Sequence, residues 1–267
     1  MSDRVTVAID GGVADVRMNR PDKLNALDQA MFEALVETGR ALARDRKVRA
    51  VVLSGEGRGF CAGLDFASFM SMAGGPRPGP ALLERNDGSP ANFAQSAAYV
   101  WTELPVPVIA AVHGVAFGGG LQIALGADVR LVAPDARMSV MEIKWGLIPD
   151  MSGSQTLRHL VRLDVAKELT FTGRIVSGAE AVELGLATRT TATPRESALD
   201  MAREIAAKSP DAIRAAKKLF HESWVGTRAE GFELEESLQR SLIGSPNQIE
   251  AVQANLEKRD ARFRDVG

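Results

Sequence analysis

The sequence predicts an α/β protein that gives way to an all-helical C-terminal region. Two observations carry this expectation. Strand-like segments alternate with helical periods over about the first 190 residues, the pattern of an α/β fold. After Pro194, four helical periods follow one another, separated by proline or glycine, with no strand signal between them. The chain is therefore divided into a core at 1–194, which carries the site, and a helical region at 195–267. That region reads either as an oligomerisation arm or as helices covering the same core.

The elements follow in order. Residues 4–9 and 13–19 alternate apolar and polar around Asp10-Gly11-Gly12, a hairpin signal. A helical period runs from Asp28, a suitable N-cap, to about Arg44, with Met31, Leu35 and Leu42 on one face. Short apolar runs at 49–54 and 106–112 read as buried strands, and a helix continues over 121–126. Segments 128–133 and 137–140 are strand-like. The helical periods of the C-terminal region cover 196–208, 210–223, 228–243 and 246–264. The stretch 71–91 holds Gly74-Gly75-Pro76-Arg77-Pro78-Gly79-Pro80 and Asn86-Asp87-Gly88-Ser89-Pro90, so no long regular element is expected there. It reads as a mobile insert, and Phe69, Met70 and Met72 beside it read as acyl-pocket lining or plain core.

Bulk composition narrows the function classes. With 45% hydrophobic and 25% charged residues, 267 residues suffice for a sizeable soluble core. A net charge of -2 without a basic run argues against nucleic acid and membrane surfaces as partners. No apolar run reaches the length of a membrane span. Cys61 is the single cysteine, so no internal disulfide forms, and the N-terminal residues carry no targeting pattern. Together these fit a cytoplasmic enzyme. No His/Cys cluster has metal-ligand spacing, so no metal is expected.

Two glycine-containing turns carry the chemistry. Gly55 to Asp65 follows the strand at 49–54, and Val112 to Leu121 follows the strand at 106–112 and opens a helix. Glycine lets backbone N–H groups approach a ligand closely, and N–H groups at a helix start sit in positive potential. Two such donors aimed at one oxygen form an oxyanion hole. A rival reading exists: Gly57-x-Gly59-x-x-Ala62 after a strand imitates a dinucleotide fingerprint. That fingerprint requires a helix next and then a strand ending in an acidic residue, and the chain runs instead into the Gly/Pro-rich insert.

Ordered motifs now identify the chain as resembling the crotonase superfamily, the enoyl-CoA hydratases and isomerases. They are Asn19 to Leu27, Phe60 to Asp65, Ala111 to Gly120, Glu142 to Ser154, Thr172-Gly173-Arg174 with Ala179-Glu180-Ala181 and Gly185-Leu186, and Glu257 to Phe263. The resemblance implies a crotonase-like spiral of ββα units, a C-terminal helical trimerisation region, and a homotrimer or dimer of trimers. It implies an acyl-CoA substrate, with coenzyme A entering as part of that substrate and no separate cofactor. By the same likeness the hole donors are the amides of Leu64 and Gly119. Lys23, Leu24, Ala26, Ala62 and Gly118 line the CoA and substrate groove, and Phe263 lies near the adenine, of its own or a neighbouring subunit.

Three positions that face the reacting carbons in the family fall on Gln122, Glu142 and Asp150. The hydratases resembled carry a glutamate where Gln122 stands. A glutamine amide transfers no proton near neutral pH, although it can hold a water or hydrogen-bond a carboxylate. Glu142 is retained, and Asp150 follows eight residues later. A carboxylate pair beside a neutral Gln122 leans toward double-bond isomerisation, in which a proton leaves one carbon and returns to another. Hydration through Glu142, with Gln122 holding water, is the alternative; a non-catalytic scaffold that holds CoA or RNA is a second. Asp150 has a plainer reading as the cap of a helix starting near Ser152, and Gln122 one as a structural residue. His113 reads as a satisfied structural histidine, His159 and His221 as exposed helix residues, and Cys61 as a small buried filler.

Overall fold

The computed structural model describes residues 3–67, 82–85 and 89–266. Most of the insert at 71–91, together with Phe69, Met70 and Met72, lies outside them. Strands β1 (Val5–Asp10) and β2 (Val13–Met18) pair antiparallel. Gly11 and Gly12, at φ of 54° and 82°, make the two-residue turn that the twist of a hairpin favours. Helix α1 (Gln29–Arg44) begins at Asp28, whose side chain accepts the Met31 amide at 2.9 Å. It leads to β3 (Ala50–Gly55), which lies parallel to β2.

The chain then repeats one theme. Helix α2 (Phe93–Glu103) precedes β4 (Val108–Val112), β5 (Val115–Phe117) and α3 (Gly119–Leu125). Next come β6 (Val129–Val132), β7 (Arg137–Ser139), α4 (Gly153–Leu160) and α5 (Leu163–Thr172). Strand β8 (Val176–Ser177), α6 (Gly178–Leu184) and β9 (Arg189–Thr190) close the strand-bearing part. The larger sheet has the order β1-β2-β3-β4-β6-β9 and the smaller one β5-β7-β8. Two passes, β4-β5-α3 and β6-β7-α4, each leave one strand in the large sheet and one in the small sheet before a helix, and in this way the chain winds as a spiral of ββα units. Helices α2, α5 and α6 were not anticipated. They are short, and α2 follows directly on the Pro-rich stretch that hid its start.

Every residue of β3 and β4 is buried, as expected for central parallel strands covered on both faces. One face packs Val51, Leu53, Val108 and Val112 against α1 and α2. The other packs Val52, Ile109, Ala111 and Leu131 against Ala198, Ala202 and Ala206 of α7 (Pro194–Ala206). Alanines four residues apart form one smooth helical stripe, which lets α7 lie close on the sheet. Helix α8 (Pro210–Ser223) is fastened through buried Lys217, whose Nζ donates to the Val106 carbonyl at 2.9 Å and to Asp128 at 2.8 Å. Helices α9 (Arg228–Leu242) and α10 (Pro246–Glu257) follow. The last helical period, read to 264, ends early because Lys258 enters the left-handed region at φ 53°. The remaining tail turns back, and Arg49 donates to the Phe263 carbonyl at 3.1 Å.

The dinucleotide reading finds no support in this topology. After β3, Cys61 and Leu64 form parallel bridges with Ala116 and Leu27, where the fingerprint requires a helix to begin.

Candidate active site

The two glycine turns interlock. A Cβ on Gly63 would lie 2.5 Å from the Phe117 carbonyl oxygen and 3.6 Å from the Gly119 nitrogen. A Cβ on Gly120 would lie 2.3 Å from the Cys61 carbonyl. Only residues without side chains allow this approach. Cys61 N donates to the Val115 carbonyl at 3.0 Å, and Phe117 N donates to the Cys61 carbonyl at 3.0 Å. Leu27 N donates to Gly63, and Asp65 N to Leu27, so the ladder uses the neighbours of Leu64 and not its own amide. Among the described residues, neither the Leu64 amide nor the Gly119 amide donates to a backbone carbonyl. Gly119 opens α3, where N–H groups are left over.

Asn25 organises this region and was not singled out in the sequence. Its backbone is left-handed at φ 56°, a region Asn tolerates better than most residues. The buried side chain accepts the Arg20 amide at 2.8 Å and donates to the Glu56 and Gly59 carbonyls, each at 2.9 Å. Arg20 adds an ion pair to Asp65 at 2.8 Å and a hydrogen bond to the Ala26 carbonyl at 3.1 Å. Segment 20–26 is thereby bound to the first glycine turn, and the Ala62 amide donates to the Leu24 carbonyl at 2.9 Å. Exposed Lys23 and half-buried Leu24, Ala26 and Ala62 lie together along this edge.

Glu142 starts a 3-10 turn (Glu142–Trp145) and is buried beside the second glycine turn. A Cβ on Gly118 would lie 3.2 Å from Glu142 Oε1. Gln122 Nε2 donates to that oxygen at 2.6 Å. Gln122 Oε1 accepts the amides of Met151 at 2.8 Å and Gly153 at 2.9 Å. The glutamine is therefore a strut between the carboxylate and the start of α4. Glu142 Oε2 is buried with no hydrogen-bond partner among the described residues. Burial, and secondarily the negative charge of Asp150, pushes the Glu142 carboxyl above its ordinary pKa.

Asp150 sits at an exposed turn near Glu142, and desolvation by the surrounding protein raises its carboxyl too. It does not cap α4: Ser152 holds the N-cap position, and no side chain accepts there. Cys61 is fully buried, and burial pushes its thiol up to about 12, which leaves no thiolate for nucleophilic work. His113 pairs with the Gly57 carbonyl at 3.0 Å. Phe263 stands apart. Its carbonyl accepts from Arg49, which stands just before β3, whereas the glycine turn follows the other end of that strand. Among the described residues, no group of three His, Cys, Asp or Glu side chains could hold a metal ion, and no helix is long and apolar enough to cross a membrane.

Residues 8–266 match the family model for enoyl-CoA hydratase/isomerase. The chain is 33% identical to the mitochondrial methylglutaconyl-CoA hydratase of Mus musculus over 263 residues, covering 95% of this chain and 80% of that protein. It is 35% identical to the mitochondrial enoyl-CoA hydratase domain-containing protein 2 of Bos taurus over 265 residues, covering 94% and 84%. The crystal structure of an enoyl-CoA hydratase of Mycobacterium smegmatis superposes with a TM-score of 0.84 at 32% identity, covering 97% of this chain and 98% of that one. The spiral α/β architecture described above is the one these solved relatives share.

Proposed function

Since the chain belongs to the enoyl-CoA hydratase/isomerase family, we propose that it shifts the double bond of an acyl-CoA by way of a thioester enolate. One observation carries the reading: a buried carboxylate, Glu142, with Oε1 held by Gln122 and Oε2 left free beside the glycine turns. The Leu64 and Gly119 amides take the enolate oxygen. Glu142 Oε2 removes a proton from one carbon and returns it to another. Asp150, within electrostatic reach and open to solvent, exchanges that proton or receives it in a longer shift. Coenzyme A enters only as part of the substrate, along Lys23, Leu24, Ala26, Ala62 and Gly118.

Hydration is the second reading, favoured by the hydratase names of the relatives. Gln122 would then offer water only its remaining N–H, since its oxygen already accepts two amides. A donor orients water without activating it, so Glu142 alone would act as base.

Gln122→Glu separates the two. A glutamate can still accept the Met151 and Gly153 amides, so the fold is expected to hold. It also sets a second carboxyl where 2.6 Å now separates Gln122 from Glu142. Proton-shift activity in wild type requires Glu142 ionised, so kcat/KM should fall on the acid side with a midpoint above the ordinary glutamate value of about 4.3. In Gln122→Glu that limb should move to still higher pH, and the ratio of hydration to isomerisation should rise. Assays with 2-enoyl-, 3-enoyl- and 3,5-dienoyl-CoA measure both. An unchanged limb and ratio would sink the role given to Gln122, and no turnover of any of these thioesters, with tight CoA binding, would favour the scaffold reading. For stability the sign is opposite: the folded state holds the Glu142 proton more tightly than the unfolded one. Its contribution therefore declines as pH rises from the ordinary pKa through the raised one.

We also propose a homotrimer or dimer of trimers, formed through the helical region. Phe220, Trp224, Phe232, Ile243 and Leu256 of that region are largely exposed in the single chain, and burying large apolar side chains favours association. Phe263, which follows that region and whose carbonyl is held by Arg49, is then available to a neighbour's adenine. Sedimentation equilibrium should give three or six copies; a monomeric mass would reject this assembly.

A further inference from the structure

We infer that Phe66 and Trp145 form the wall that limits how long an acyl chain the site accepts, an inference that rests on the acyl-CoA reading above. The two rings stack with centroids 4.0 Å apart and planes 30° from parallel. Phe66 follows Leu64 by two residues, and Trp145 follows Glu142 by three. In a 3-10 helix, side chains three apart eclipse one another, about 6 Å along the axis. Trp145 therefore lies on the same side of the Glu142–Trp145 turn as Glu142 itself. The stack joins the segment carrying Leu64 to the segment carrying Glu142, one 3-10 turn along from the carboxylate.

Neither ring belongs to the two buried core clusters. Trp145 is 49% exposed, and the Lys144 ammonium lies 5.4 Å from its ring centroid. Packing of the core therefore does not explain the pair. An acyl chain leaving the space between Glu142 and the hole meets an apolar barrier that spans both sides of it. Short acyl groups fit in front of that barrier. Longer ones require a ring to be removed.

The test compares wild type with Phe66→Ala, Trp145→Ala and the milder Phe66→Leu and Trp145→Phe. Binding of the saturated, unreactive butyryl-CoA and dodecanoyl-CoA is measured by calorimetry, so that turnover is not required. Either alanine variant should raise affinity for dodecanoyl-CoA relative to butyryl-CoA by about tenfold or more, the scale set by a pocket that gains or loses apolar volume. The milder variants should shift the ratio less, and Trp145→Phe should stay near wild type. Chain-length preference in kcat/KM for crotonyl-CoA against dodecenoyl-CoA should move in the same direction. A ratio unchanged across variants that all still bind butyryl-CoA overturns the inference while leaving the acyl-CoA reading intact. Failure of the wild type to bind either thioester overturns both.

Discussion

Glu142→Gln is expected to lower turnover of an enoyl-CoA by about 10²–10⁴-fold, the range for loss of a positioned acid or base. The exchange is nearly isosteric. Gln122 Nε2 can still donate to the side-chain oxygen it now meets at 2.6 Å, so the strut to Met151 and Gly153 stays in place. What disappears is the buried, partner-free Oε2, the atom proposed to accept the proton. Binding of a saturated acyl-CoA should change little, which places the loss in kcat. Retention of activity within about tenfold would remove Glu142 from the mechanism, and a matching loss of binding would recast it as a binding residue.

Gly63→Ala is the second large effect. Gly63 has φ 85°, and its new methyl would lie 2.5 Å from the Phe117 carbonyl oxygen, which is backbone and has nowhere to go. Relief must come from moving the two turns apart. That displaces the Leu64 amide on one side and the Gly119 amide on the other. The expected loss in kcat/KM is about 10²–10³-fold, the scale for losing one hole donor, together with about 1–2 kcal/mol of stability for a left-handed alanine. Gly11→Ala is the control. Gly11 also has positive φ, but open space surrounds its Cβ position. It should show a melting-temperature loss of similar origin with activity kept. If Gly63→Ala keeps its activity as well, the interlocked turns are not the oxyanion hole.

Several elements were legible in the sequence because their causes are local. Gly11-Gly12 requires only that two adjacent residues adopt positive φ. Asp28 caps α1 with its own side chain. The tail helices at 210–223 and 228–242 announce themselves through periodicity and through proline or glycine at their ends. The glycine turns were legible for the same reason: close backbone approach needs glycine at particular positions, and the two runs stand directly after strands. Helices α2, α5 and α6 were not, since short helices on a packed core owe their stability to tertiary burial more than to propensity. The early end of α10 turned on Lys258, a residue type that carries no stop signal.

The two glycine turns and the α/β class were thus determined by the sequence alone, because each rests on residue identity and short-range spacing; the spiral and the carboxylate candidates came from the resemblance that the ordered motifs carry. Which groups those carboxylates touch was decided only by the tertiary structure. Gln122 could have been structural or functional. Folding brings it against Glu142 and against two amides about 30 residues away in the chain, and so makes it a neutral strut. Asp150 could have been a helix cap, but the backbone turn puts Ser152 in that position and leaves Asp150 exposed, within electrostatic reach of Glu142. Asn25 and Arg20, quoted in the sequence only as members of a motif and given no role there, bind segment 20–26 to the first turn. The physical reason is common to all of these: hydrogen-bond partners and burial are properties of space, and residues far apart in the chain acquire them only when the sheets and helices bring them together.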